Sequence, residues 1–339
     1  MLFKKTSAEE CYQKGVECYN KSDYAKAVEW YKKGAEQGYA AAQCALGYCY
    51  DFGHGIEKDC VKAVEWYRKA AEQGYAKAQT NLGICYDNGD DVEQNSAKAV
   101  YWYRKAAEQG YDKAQYALGV CYDNGQGVEQ DYTKAVMWYS KAAEQGHVDA
   151  QYNLGMRYDN GQGVEQDSAK AIYWHRKAAE QGQVDAQYSL GYSYYNGIGV
   201  EKDYGQAVMW FKKAAAQGAE HAQFCLGICY DTGHGVEQDY KKAVEWYSKA
   251  AEQGCAKAQY NLGNGYYNGN GVEQDYAKAV SWYRKAAEQG HAQAQYNLGV
   301  CYYNGYGIDK DVAQAVAWFK KSAAQGNENA KATLKKLGY

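Results

Sequence analysis

Residues 97–131 read AKAVYWYRKAAEQGYDKAQYALGVCYDNGQGVEQD. In the first fourteen, Ala99, Val100, Trp102, Tyr103, Ala106 and Ala107 fall at i, i+3, i+4 and i+7 intervals, one apolar stripe of an amphipathic helix. From residue 112 the pattern starts afresh, with Ala114, Leu118, Cys121 and Tyr122 on a second stripe that ends at Gly125. A single pair of such helices cannot bury both stripes, so the segment needs neighbours of its own kind. The neighbours are in the chain. All nine tryptophans, Trp30, Trp66, Trp102, Trp138, Trp174, Trp210, Trp246, Trp282 and Trp318, stand 36 residues apart.

The connecting stretch YDNGQGVEQD (122–131) returns unchanged at 158–167 and in looser form at 50, 230 and 302. Its aspartates and glycines invite a calcium or phosphate reading, but the ligand order of an EF-hand and the G-K-[ST] ending of a phosphate loop are both missing. Backbone needs account for it instead. Gly125 suits the left-handed residue that closes a helix, Gly127 a second bend, Val128 an apolar plug and Asp131 the N-cap of the next helix. In the copy YDNGDDVEQN (86–95), Asp91 replaces the second glycine, which predicts the least regular turn. Inside the first helix of each unit a Leu-Gly step recurs, at Gly47, Gly83, Gly119, Gly155, Gly191, Gly227, Gly263 and Gly299. Mid-helix glycine costs about 1 kcal/mol against alanine, so the recurrence predicts a close helix approach there.

Composition narrows the function. Lys plus Arg number 38 against 41 for Asp plus Glu, which leaves no basic footprint for nucleic acid. No run approaches the roughly 18 apolar residues of a membrane span, and the opening MLFKKTSAEE carries no apolar stretch of signal-peptide length. We expect no nucleic acid, no membrane insertion and a cytoplasmic chain. Of 11 cysteines, Cys49, Cys85, Cys121, Cys229 and Cys301 share one register. Equivalent positions of packed helical units lie about 10 Å apart, beyond the roughly 7 Å reach of a disulfide, which predicts free thiols.

The unit A-x-A-Q-Y-x-L-G-x-x-Y-x-x-G-x-G-V-x-x-D-x-x-K-A-V-x-W-Y-x-K-A-A-E-Q-G resembles the Sel-1-like repeat (SLR), a relative of the tetratricopeptide repeat (TPR). The resemblance implies an all-α, right-handed α/α superhelical solenoid of helix-turn-helix repeats, with the first helix of each unit lining the concave side. It divides the chain into a TPR-like N-terminal capping repeat (1–38), eight 36-residue repeats (39–326) and a C-terminal capping helix (327–339). It also implies a non-enzymatic scaffold or adaptor for other proteins. Two alternatives stay open: a β-lactam-binding or hydrolytic enzyme of the family's secreted, disulfide-bonded branch, and a near-consensus array without a dedicated partner.

The search for chemistry returns little. S-x-x-K, G-x-S-x-G and H-E-x-x-H are all absent, and the six histidines read as single surface residues. Cys225 and Cys229 sit at i, i+4 but lack two further ligands for a soft metal. No catalytic residue, metal site or cofactor is expected. The candidate partner-binding residues are those that face the groove. Two residues before the Leu of each Leu-Gly step runs an aromatic ladder: Tyr116, Tyr152, Tyr188, Phe224, Tyr260 and Tyr296. The residue after the glycine varies, with Tyr192 and Asn264 the polar members. Three positions on, Asp51, Asp87, Asp123, Asp159 and Asp231 give way to Tyr195, Tyr267 and Tyr303. Packing rows should repeat while recognition rows are free to differ, so Tyr192, Tyr195, Tyr267 and Tyr303 are the expected anchors and Asn264 the expected hydrogen-bonding residue.

Overall fold

The computed structural model describes residues 6–89 and 92–339; the irregular turn expected at Asp91 lies outside them. Among the described residues there are α-helices and no strand. The chain forms two compact units, 1–174 and 175–339. In the first, α1 (Ala8–Asn20), α3 (Ala40–Phe52), α5 (Ala76–Asn88), α7 (Asp112–Asn124) and α9 (Val148–Asn160) alternate with α2 (Tyr24–Glu36), α4 (Cys60–Glu72), α6 (Ser96–Glu108) and α8 (Tyr132–Glu144). Helix α10 (Ser168–Glu180) spans the division. In the second unit α11 (Val184–Asn196), α13 (Glu220–Thr232), α15 (Ala256–Asn268) and α17 (Ala292–Asn304) alternate with α12 (Tyr204–Ala216), α14 (Tyr240–Glu252), α16 (Tyr276–Glu288) and α18 (Val312–Ala324), and α19 (Glu328–Lys336) follows. Within each unit a helix packs on its sequence neighbours, as a helical-repeat solenoid requires.

Capping follows the sequence reading. Asp131 is the N-cap of α8, its carboxylate accepting from the Lys134 N–H at 3.0 Å. Gly125 closes α7 at φ 71°. At Gly127, φ is 70° and an added Cβ would lie 2.3 Å from the Ser96 carbonyl oxygen, so the loop presses on the start of α6 in the preceding repeat. The bend therefore brings consecutive repeats together as well as turning the chain.

The Leu-Gly step makes the approach its cost predicts. A Cβ on Gly119 would fall 2.6 Å from Cδ1 of Tyr139, and one on Gly83 2.5 Å from Cε1 of Tyr103. The ring lies flat against bare backbone, and Tyr67, Tyr139, Tyr283, Phe211 and Phe319 are among the largest fully buried side chains. The tryptophans sit outside this seam, mostly half-buried, with a lysine three residues on over the ring: Lys249 over Trp246 at 4.0 Å is typical.

A second lattice ties the repeats by hydrogen bonds. Gln43, Gln79, Gln115, Gln187, Gln223, Gln259 and Gln295 are buried. Each donates Nε2–H to the carbonyl of the alanine eight residues earlier at 3.1–3.5 Å. That alanine closes the preceding repeat, and the glutamine's Oε1 accepts from the glutamine thirty residues later, at the end of its own repeat's second helix, at 2.7–3.0 Å. One amide thus satisfies the last carbonyls of the preceding repeat and ties the two helices of its own repeat together.

Candidate protein-binding groove

In each unit the odd-numbered helices line a groove. That of the second unit has a volume of about 540 Å³ and is built by Tyr188, Tyr192 and Tyr195 of α11, Phe224, Cys225 and Ile228 of α13, and Cys255 and Lys257 at the start of α15. That of the first unit, about 810 Å³, is lined by residues that include Tyr12, Tyr48, Thr80, Ile84 and Tyr116.

The second-unit groove has an apolar floor with a polar edge. The Tyr188 ring packs against Phe211, Tyr192 and His221 at centroid distances of 6.1, 6.2 and 5.7 Å. Burial raises the Tyr188 phenol to about 12 and the Cys225 thiol to about 12, so both stay protonated at neutral pH. The groove therefore offers ring faces, a neutral thiol and neutral hydroxyls. Tyr192, 47 % exposed, is the large apolar surface it shows to solvent, and Glu220, His221 and Lys257 edge it.

The expected site residues separate into two groups. Tyr188, Tyr192, Tyr195 and Phe224 come together in this groove. Tyr116 lines the first-unit groove, stacked on His147 at 4.5 Å; Tyr260 stacks likewise on His291 at 4.8 Å. Tyr296 packs on Phe319 at 5.6 Å, Lys310 lies over Tyr303 at 5.6 Å, and Tyr152 is half-buried on α9. Asn264 is already engaged: its Oδ1 accepts from the Tyr283 hydroxyl at 2.7 Å and from Asn297 Nδ2 at 3.2 Å.

The change from aspartate to tyrosine along the third row has a structural cause. In three of the repeats where the row holds aspartate, the buried ring against the Leu-Gly step is a tyrosine whose hydroxyl donates to the carboxylate: Tyr67 to Asp51 at 3.2 Å, Tyr139 to Asp123 at 3.1 Å, Tyr247 to Asp231 at 3.3 Å; opposite Asp159 the ring is that of His175. Where the row holds Tyr195 or Tyr303, the ring is Phe211 or Phe319 and no hydroxyl needs an acceptor. Where it holds Tyr267, Tyr283 keeps its hydroxyl and Asn264 receives it. At 195/211 and 303/319 the acceptor and the hydroxyl are lost together, in keeping with the cost of about 1–3 kcal/mol for an unpaired buried hydroxyl. Tyr195 and Tyr267 also fasten repeats together. The Tyr195 hydroxyl bonds His234 Nδ1 at 2.9 Å, with His234 stacked on Tyr204 at 4.3 Å; Tyr267 meets Tyr276 and Tyr306 at 5.1 and 6.1 Å.

The histidines are not the surface residues their scatter suggests. His175 is fully buried, His54 bonds the Tyr19 hydroxyl at 2.6 Å, and His147 and His291 cap α9 and α17 through Nδ1. Only His221 is exposed. The eleven cysteines are free thiols, and burial raises Cys44, Cys121, Cys229 and Cys301 to about 12. Among the described residues no group of three or more His, Cys, Asp or Glu could hold a metal ion, and no helix is long and apolar enough to cross a membrane.

Stacked helix pairs, a small-residue seam and odd-numbered helices along a groove define a helical-repeat solenoid. The Sel1 repeat family model matches residues 7–39, 40–75, 76–111, 112–147, 148–183, 184–218, 220–255, 256–291 and 292–327. The chain belongs to the Sel1 repeat family. Among solved structures it is similar to a Sel1 repeat protein from Oxalobacter formigenes, with 35 % identity, TM-score 0.67, and coverage of 91 % of this chain and 89 % of that one. It is also similar to a protective antigen of uropathogenic Escherichia coli displaying an SLR fold, with 35 % identity, TM-score 0.59, and coverage of 98 % and 87 %. No curated protein matches the chain.

Proposed function

We propose that this protein is a non-enzymatic scaffold that holds a helix or extended segment of another protein in the groove formed by α11, α13 and the start of α15. The observation that carries the reading is the juxtaposition of Tyr188, Tyr192, Phe224 and Ile228 around one apolar groove of about 540 Å³ with a charged edge. Aromatic anchors in a water-excluding groove typically supply most of an interface's affinity. In this reading Tyr195, Tyr267 and Tyr303 shape and brace the array, while Tyr188, Tyr192 and Phe224 make the contact. Residues 1–38 and 327–339 close the ends as caps around the repeats of 39–326. Eleven free thiols suit residence in a reducing cytoplasm. The near-equal numbers of basic and acidic side chains favour a protein partner over nucleic acid.

The test compares Tyr192→Ala/Phe224→Ala with Glu245→Lys, an exposed change on α14. Partners recovered by the wild type are purified and titrated calorimetrically against each variant. The reading expects the groove variant to lose about 2 kcal/mol or more and Glu245→Lys to bind as wild type. Equal affinity of a folded groove variant would sink it.

A further inference from the structure

The second unit also contains a pocket whose natural occupant can be read from the first. In the first unit Arg157 takes the register that holds Cys49, Cys85 and Cys121 in earlier repeats, and its guanidinium is enclosed. Nη1 pairs with Asp123 Oδ1 at 3.1 Å and donates to Gln162 Oε1 at 2.7 Å, while the Tyr132 ring lies 5.4 Å from Cζ. The ion-paired side chains are only 17 % and 13 % exposed. Tyr139 holds the carboxylate from behind through Oδ2, and Gln130 Nε2 bridges the Asp123 carbonyl at 2.7 Å and the Tyr132 hydroxyl at 3.0 Å.

Three periods later the same frame stands around a different residue. Tyr247 donates to Asp231 Oδ2 at 3.3 Å, and Gln238 Nε2 bridges the Asp231 carbonyl at 2.7 Å and the Tyr240 hydroxyl at 3.0 Å. The register of Arg157 is occupied by Gly265 and that of Gln162 by Asn270. Asp231, Tyr240, Tyr247, Gly265 and Asn270 consequently help line a cavity of about 70 Å³. In two other repeats the second carboxylate oxygen meets a group of the following repeat: Asp87 Oδ1 accepts from Gln126 at 2.7 Å, and Asp123 Oδ1 forms an ion pair with Arg157 Nη1 at 3.1 Å without hydrogen-bond alignment. Asn270, one methylene shorter than Gln126, makes no such bond to Asp231.

We propose that this cavity is a binding site for a guanidinium group supplied from outside the chain. Asp231 Oδ1 takes the ion pair, the Tyr240 face takes the cation–π contact, and the Asn270 side chain accepts the hydrogen bond at the edge as Gln162 does for Arg157. An ammonium fits less well, because the frame presents an acceptor and a flat ring face suited to a planar fork. The inference stands apart from the groove formed by α11 and α13, since it rests on other residues and holds whether or not a segment binds there. The guanidinium can belong to an arginine side chain of a protein partner or to a free small molecule, and the two sources separate in the test.

The probes are N-ethylguanidinium, ethylammonium at equal ionic strength, and the capped peptide Gly-Arg-Gly, each titrated by calorimetry and by amide chemical shifts of the full chain. Saturable binding of N-ethylguanidinium is expected, at least tenfold tighter than ethylammonium and weakened at least tenfold by Asp231→Asn, which keeps an acceptor for Tyr247. Gly265→Arg should fill the cavity from within, abolish N-ethylguanidinium binding and raise the Tm. A peptide that binds more tightly than N-ethylguanidinium supports the site and assigns it to a partner's arginine; equal affinity supports it and assigns it to a small cation. The proposal is overturned if neither guanidinium probe saturates, or if Asp231→Asn with wild-type helicity binds both as tightly as the wild type.

Discussion

Gly227→Ala reverses sign between a free helix and this one. In an exposed helix interior the change stabilises by about 1 kcal/mol. Here the new Cβ would lie 2.4 Å from both Cδ1 and Cε1 of Tyr247, about 1 Å inside an ordinary carbon–carbon contact. The ring is 3 % exposed and tethered by its hydroxyl to Asp231 Oδ2 at 3.3 Å, so it cannot swing aside without breaking that bond. Overpacking costs about 1–3 kcal/mol and a stranded buried hydroxyl about 1–3 kcal/mol. Taking the middle of each range and subtracting the helix gain leaves a net loss of about 3 kcal/mol. Gly205→Ala is the control, because its glycine is exposed near the start of α12 and other repeats carry alanine there, at Ala97, Ala169 and Ala277. It should stabilise by up to about 1 kcal/mol. Urea unfolding gives the midpoints, and hydrogen exchange localises the loss to α13 and α14. In a Tyr247→Ala background the penalty of Gly227→Ala should vanish. If the penalty persists there, or if Gly227→Ala stabilises the wild type, the ring-on-glycine seam does not explain the Leu-Gly step.

Tyr195→Asp alone should destabilise, since the carboxylate faces Phe211 and the bond to His234 is lost; adding Phe211→Tyr should return about 1 kcal/mol in a double-mutant cycle. Gln115→Leu should cost about 1–2 kcal/mol in chemical denaturation, because it removes the donor to the Ala107 carbonyl and the acceptor for Gln145. Burial lowers His291 and His147 below the usual 6.5, and each caps its helix through an unprotonated Nδ1. Their contribution is therefore fully present above about pH 6.5 and lost as the pH falls through the depressed folded values. His147→Asn/His291→Asn, copying the Asn327 cap, should flatten that part of the Tm–pH profile.

The helices, turns and glycine seam were legible because each rests on neighbours within one repeat. Gly125 and Asp131 declare their caps by residue type, and Gly119 declares a close approach by the helix penalty it accepts. The glutamine lattice repeats just as strictly, yet Gln115 finds the Ala107 carbonyl in the preceding repeat, a pairing that periodicity alone does not reveal. The aspartate-to-tyrosine row was visible as variation, but its meaning was not. The exchange of Asp for Tyr195 is matched by a loss of hydroxyl at Phe211, and that partner comes into view only when the ring lies against Gly191. Comparing positions 195 and 211 across copies could have shown it. The four groove residues Tyr188, Tyr192, Tyr195 and Phe224 were recognisable from helix periodicity; the separation of Asn264, Tyr267 and Tyr303 from them was not, because each is drawn into a contact of its own.

The most direct measurement places a photoreactive benzoylphenylalanine at Tyr192, at Ile228 and, as control, at Glu245, and maps cross-links to a partner purified with the wild-type protein. The account predicts that positions 192 and 228 cross-link to one contiguous segment of the partner and that position 245 does not. Cross-links from 245 with none from 192 or 228 would contradict it, placing the partner on the even-numbered helices and leaving the groove as packing alone.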